Sequence, residues 1–139
     1  MLPPLKQIIL PVPHFQQRKI GDCLVACTGM MLAHLGKAFQ YRNVAQQLKT
    51  QDFGTVFSNI RHLSISGIAV QVHHGDIDDL YRHLLQNRPA AVAVRTAELP
   101  HWYNDASRFE EVAHAIVVVD MDKKMVYIND PAFETAPLQ

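Results

Sequence analysis

The run His114-Ala115-Ile116-Val117-Val118-Val119-Asp120 constrains this chain more than any other stretch. It is short, continuously apolar and rich in β-branched residues, which marks a strong central strand. Asp122-Lys123-Lys124 follows as a turn, and Met125-Val126-Tyr127-Ile128 as the return strand. Asn129-Asp130-Pro131 ends it, since proline cannot donate to a sheet ladder. A hairpin brings its two open ends together. His114 at one end and Asp130, sixteen residues later at the other, are therefore expected to be neighbours. A carboxylate beside an imidazole fixes its tautomer and stabilises its protonated form. Read without the hairpin, Asn129-Asp130-Pro131 is simply a turn initiator.

The segments before the hairpin are mostly helical. Ile8 to Pro13 is expected to be extended, because its prolines forbid helix, and Gln16 to Asp22 is a polar loop. Cys23 to Leu35 carries apolar residues at mostly helical spacing on more than one side, the pattern of a largely buried helix, with Gly36 as its stop. A second helix is expected over Val44 to Lys49, and a third from Val56 to Ile65 with Thr55 as N-cap and Gly67 as stop. Ile68 to His73 alternates and reads as a strand. Gly75-Asp76 caps a helix through Leu80, Leu84 and Leu85. Pro89 ends it, and Ala90 to Val94 reads as a buried strand. Arg95 to Glu111 is irregular and contains Pro100, His101, Trp102 and Tyr103. Helices first and mostly antiparallel strands afterwards argue an α+β domain in two layers.

At 139 residues the chain makes one domain, 1–139, with a single core. Its 13 basic and 13 acidic residues cancel, whereas a nucleic-acid binder normally carries excess positive charge. No apolar run is long enough for a membrane span. Met1-Leu2-Pro3-Pro4-Leu5-Lys6 lacks the helical apolar centre of a secretion signal. The cysteines, Cys23 and Cys27, sit four apart on one helix face with poor disulfide torsions. Two free thiols without a signal point to a reducing, cytoplasmic compartment.

Cys23 follows a Gly21-Asp22 turn and opens a helix. The unpaired N–H groups and partial positive charge there favour a thiolate, the reactive form of cysteine; the competing reading is a buried structural thiol. His114 opens the central strand, either as a satisfied edge residue or as a base at the rim of a cleft. Gln17 lies six residues before Cys23, and its amide could donate to a developing oxyanion together with the Cys23 N–H. A metal site is the first rival: His73, His74, Asp76 and His83 supply ligand types. Adjacent residues on a strand, however, point to opposite faces, and the spacing matches no closed zinc pattern.

Gln17, the Asp22-Cys23 step, Ala26, Met30, Gly36, His114 and the Asn129-Asp130-Pro131 turn together resemble the C39 family of papain-like cysteine peptidases, most closely its stand-alone, C39-like branch. Val12-Pro13-His14-Phe15-Gln16-Gln17 and the hairpin sequence carry the same resemblance, which spans about Leu10 to Phe133. It implies a papain-like fold, with the nucleophile helix packed on a mostly antiparallel sheet. It also implies Cys23 as nucleophile, His114 as general base and acid, Asp130 as the group orienting His114, and Gln17 in the oxyanion hole. No metal or organic cofactor is implied. The partner implied is a peptide or protein substrate with small residues, often Gly-Gly or Gly-Ala, before the cut, and an association with a separate transporter is left open. Trp102 and Tyr103 would wall the cleft or, equally, cover the core edge. Three departures stand out. Leu24 occupies a position where the family usually has Gly, and a side chain there would narrow the cleft or alter a subsite. No transporter segment or nucleotide-binding motif is present. The sequence stops nine residues after Asp130, where some relatives continue, so a C-terminally truncated domain is one expectation. The same residues are compatible with a peptide-binding module that does not cut, or with acyl transfer or amide hydrolysis on a small molecule.

Overall fold

A computed structural model describes residues 9–103, 113–122 and 124–138. Helix α1 (Cys23–His34) leads, followed by α2 (Tyr41–Gln47), a 3-10 helix at Phe57–His62, and α3 (Ile77–Leu85). Strand β1 (Ala90–Arg95), a 3-10 turn at Thr96–Glu98 and the short α4 (Pro100–Tyr103) come next, then β2 (Ala113–Met121) and β3 (Val126–Asn129). The strands form one antiparallel sheet in the order β1-β2-β3.

The apolar run takes the central place, as its composition demands. Ala115, Val117 and Val119 face α1 and α2, packing with Leu24, Val25, Cys27, Met30, Val44 and Leu48. Ile116, Val118 and Met121 face the other way, against Tyr81 and Leu84 of α3 and against Leu10. Both faces of β2 are thus buried, which is why it reads as continuous rather than alternating. The expected two layers become three, with α1 and α2 on one face of the sheet and α3 with the chain's outer segments on the other. Each fully buried aliphatic side chain contributes roughly 1.5–3 kcal/mol, so the strand joins two half-cores that neither helical group could close alone.

Local chemistry explains the helix limits. Gly36 adopts φ +71° and ends α1, with its N–H on the Ala33 carbonyl and that of Lys37 on Leu32. Asp76 caps α3 reciprocally with Asp79: each carboxylate accepts the other's backbone N–H. Helix α2 starts three residues before the expected Val44, because the Tyr41 hydroxyl donates to Asp22 and fixes that turn from outside the helix. The expected third helix is a 3-10 segment, and Thr55 does not cap it: its hydroxyl is paired with that of Thr50 at 2.7 Å. At 68–73 the burial alternates as a strand's would, but the segment joins no sheet among the described residues.

The ends are tied to the hairpin. A register shift between Val118 and Asp120 accompanies a bond from the Leu10 N–H to the Val119 carbonyl. Leu138 exchanges two backbone hydrogen bonds with Ile128, so the last described residues pair with β3. Asp122 makes the turn by accepting the N–H groups of Lys124 and Met125; Lys123 lies outside the described residues.

Candidate active site

Helix α1 delivers Cys23 in its first turn, half-exposed, ahead of a face that is otherwise almost wholly buried. The Asp22 carboxylate does not cap this helix, because it accepts the Tyr41 hydroxyl at 2.8 Å. The first N–H groups of α1 therefore have no side-chain cap. Leu24, one residue on, is 1% exposed and packs in the core. The expectation that its side chain narrows the cleft is corrected: the helical turn rotates it inward while Cys23 faces out.

The hairpin places His114 at the start of β2 and Asp130 directly after β3, and Val117 pairs with Asn129 between them. His114 Nε2 lies 2.7 Å from Asp130 Oδ1. Cys23 lies close enough to His114 to add to the upward shift of its pKa. The structure thus brings Cys23, His114 and Asp130 together, from α1 and the sheet end. Burial by itself lowers the His114 pKa. The hydrogen bond to Asp130 and its negative charge, with Cys23 beside the ring, outweigh burial and raise it from 6.5 to about 9. Asp130, fully buried, moves the opposite way. Burial favours its neutral form, but the hydrogen bond and charge of His114, with help from His101 and the Ala132 N–H, hold it at about 2.

Two residues at this carboxylate went unread in the sequence. His101 Nε2 lies 2.7 Å from Asp130 Oδ2, and the Trp102 indole N–H donates to the same oxygen at 2.8 Å. The Ala132 N–H adds a bond to Oδ1 at 3.0 Å, so Asp130 initiates the turn while it also holds the hydrogen bond to His114. Trp102 meets His114 edge-on, with ring centroids 5.1 Å apart, and Phe133 at 5.6 Å. It neither walls a cleft alone nor merely caps the core; it shields the His114–Asp130 pair. The only signal in the sequence was a Pro-His-Trp cluster in an irregular segment, with nothing to pair it with a residue some thirty positions away. Of that segment, residues 104–112 lie outside the described residues, as does the Tyr103 side chain.

Gln17 is fastened to the same place. Its N–H donates to the Pro131 carbonyl at 2.7 Å, His14 Nε2 is 2.6 Å from the Phe133 carbonyl, and the Asn129 amide donates to Val12. Its side-chain amide nitrogen, however, donates to the carbonyls of Lys19 and Ile20 at 3.0 and 2.9 Å, while Oε1 is buried without a partner. Gly21 explains the tight loop: a Cβ there would lie 2.6–2.7 Å from backbone atoms of Gln51, Asp52 and Gly54. Cys27, one turn beyond Cys23, is fully buried, and burial foremost pushes its thiol well above the ordinary range. No group of ligating side chains suited to a metal occurs among the described residues. Asp76 is spent on the α3 cap, and His73 and His83 meet only as rings, 6.2 Å apart.

A helix-borne cysteine laid against a small antiparallel sheet is the α+β architecture of papain-like proteins. The chain belongs to the Peptidase C39-like family, whose model matches residues 9–137. Among solved structures it is similar to a candidate C39-like peptidase from Bacillus anthracis, with a TM-score of 0.67 at 17% identity, covering 96% of this chain and 86% of that one. No curated protein matches the sequence. No helix among the described residues is long and apolar enough to cross a membrane.

Proposed function

We propose that this protein is a cysteine peptidase in which Cys23, His114 and Asp130 act as a triad. The observation that carries the reading is the 2.7 Å His114–Asp130 hydrogen bond with Cys23 beside the ring. In this scheme the Cys23 thiolate attacks a peptide carbonyl carbon, whose electron pair moves to oxygen. The Cys23 N–H receives that oxyanion. The Gln17 amide joins it by releasing the Lys19 and Ile20 carbonyls, and losing one such donor typically costs about 10²–10³ in rate. His114 gives its proton to the leaving amine as the C–N bond breaks, and a thioester to Cys23 remains. Water, losing a proton to His114, then hydrolyses the thioester and frees the thiolate. Asp130 keeps the ring turned toward Cys23 and offsets its charge. Family membership supports substrates with small residues such as Gly-Gly before the cut.

The test uses Cys27→Ser protein, so that Cys23 is the one thiol alkylated by iodoacetamide. Alkylation should already be fast near pH 6, and should slow at least about tenfold in His114→Ala. A Gly-Gly peptide should be cut by this protein and not by Cys23→Ala. An ordinary thiol profile unaffected by His114, with no cleavage, would sink the reading.

A further inference from the structure

Beside the nucleophile helix lies an open cavity of about 710 Å³ between the loop before α1 and helix α2. Asp22, the residue immediately before Cys23, forms part of its wall. Four cations line it: Arg18 and Lys19 from the loop, Arg42 from α2 and Lys49 just after it. All four are exposed, and none makes an ion pair with another described residue. Two carboxylates oppose them, Asp22 and Asp52, which leaves an excess of two positive charges. Asp22 is buried and already accepts the Tyr41 hydroxyl, which leaves Asp52 as the exposed carboxylate of the lining. In a chain whose charges sum to zero, such a local excess is a departure from the whole.

The wall is also ordered in advance. The Arg18 guanidinium sits over the Tyr41 ring, 4.2 Å from its centroid, the Arg18 N–H donates to the Tyr41 hydroxyl, and that hydroxyl donates to Asp22. Arg18 is therefore held at the cavity rather than swinging free, and less side-chain entropy is lost when an anion binds. The Gln51–Gly54 turn closes the far side, pressed against Gly21.

We propose that this cavity is a subsite for carboxylate side chains of the peptide being cut, engaging aspartate or glutamate residues to one side of the scissile bond. This rests on the peptidase reading for its substrate; the cations and cavity stand apart from it. A peptide fits better than a nucleic acid, because Asp22 of the wall adjoins Cys23 in the chain and the excess charge is confined to the cavity rather than spread over a face. Binding should be sensitive to salt, since the cations are exposed and the screening length falls from about 10 Å at 0.1 M to about 3 Å at 1 M.

The experiment compares two labelled Gly-Gly peptides, one flanked by glutamates and one by glutamines. Binding is read by fluorescence polarisation in Cys23→Ala protein, and turnover in protein that retains Cys23. The glutamate peptide should bind about tenfold more tightly at low salt, and the preference should fade at 1 M. Arg18→Gln/Arg42→Gln/Lys49→Gln should abolish the preference while leaving KM and kcat for the glutamine peptide unchanged. Arg42→Gln/Lys49→Gln, which spares the Arg18–Tyr41 contact, should weaken it in part. Equal binding of the two peptides, or a preference that survives the triple change, overturns the proposal while cleavage of both leaves the peptidase reading intact. Tighter binding of a single-stranded RNA than of the glutamate peptide also overturns it. A charge preference without cleavage of either peptide overturns the peptidase reading and the assignment to a substrate with it.

Discussion

Asp130 accepts on both carboxylate oxygens: His114 and the Ala132 N–H on Oδ1, His101 and Trp102 on Oδ2. An amide has one accepting end. In Asp130→Asn, whichever way the side chain turns, its NH2 faces at least two N–H donors in a buried place. Each orphaned buried donor costs about 1–3 kcal/mol, so we expect Asp130→Asn to lose about 2–6 kcal/mol in urea unfolding. The charge that holds His114 near pH 9 disappears as well. Under the proposed peptidase mechanism, in which loss of the His114 proton sets the alkaline limb of cleavage, that limb should therefore move down from about 9 toward 6.5. An unchanged limb would mean that Asp130 does not govern His114. The His114–Asp130 pairing was legible because both residues are ends of one hairpin, and strand length with turn position fixes their approach. His101 and Trp102 were not legible: they reach Asp130 across 29 and 28 residues from a segment with no periodicity to place it.

At the scale of elements, the site depends on how the loop before α1 meets the turn at Gln51–Gly54. Gly21 is the contact, and the atoms a Cβ would meet are backbone atoms, which cannot swing away as a side chain can. Gly21→Ala should push the two segments apart, at a cost of about 1–3 kcal/mol. It should also move Cys23 relative to His114, so iodoacetamide alkylation at pH 6 should slow at least about tenfold, the order expected of a small displacement in a site that relies on positioning. A variant as stable and as reactive as the parent would show that this contact does not position the helix. Elements whose signals are local were readable: the α1 span, the Gly36 stop, the Asp76 cap, β1 and the hairpin. Those decided by distant partners were not. Tyr41 begins α2 early through Asp22, Thr55 turns to Thr50 instead of capping, and Ile68 to His73 keeps a strand's alternation without a strand to pair with. Leu24 looked like an obstruction because sequence places it beside Cys23, whereas one step of about 100° around a helix sends it to the opposite side.

For the whole molecule, the His114–Asp130 pair makes folding stability depend on pH in a window its shifts define. His114 binds its proton more tightly folded than unfolded, about 9 against 6.5. Its contribution is complete below pH 6.5 and is lost as pH rises through 9. Asp130 is displaced downward, about 2 against 3.8, so its contribution is complete above pH 3.8 and lost as pH falls through 2. Cys27, whose buried thiol resists ionisation, adds a further loss above pH 9, because the unfolded chain then sheds a proton the folded one keeps. Burial raises the Asp120 carboxyl, which works against the Asp130 contribution above pH 3.8; between about 6.5 and 9 urea-unfolding stability should fall with His114, and fall again beyond. In His114→Gln the middle fall should vanish while the last remains, and in Cys27→Ser the middle fall should remain while the last shrinks to what the Tyr41 hydroxyl, also raised by burial, contributes. Since His114 and Asp130 both come from the hairpin and α1 adds only Cys23, the middle fall reports chiefly the charged pair at the end of the sheet. A profile in which His114→Gln leaves that fall intact would place the titrating group elsewhere and remove the charged pair from the account of how the sheet end is held together.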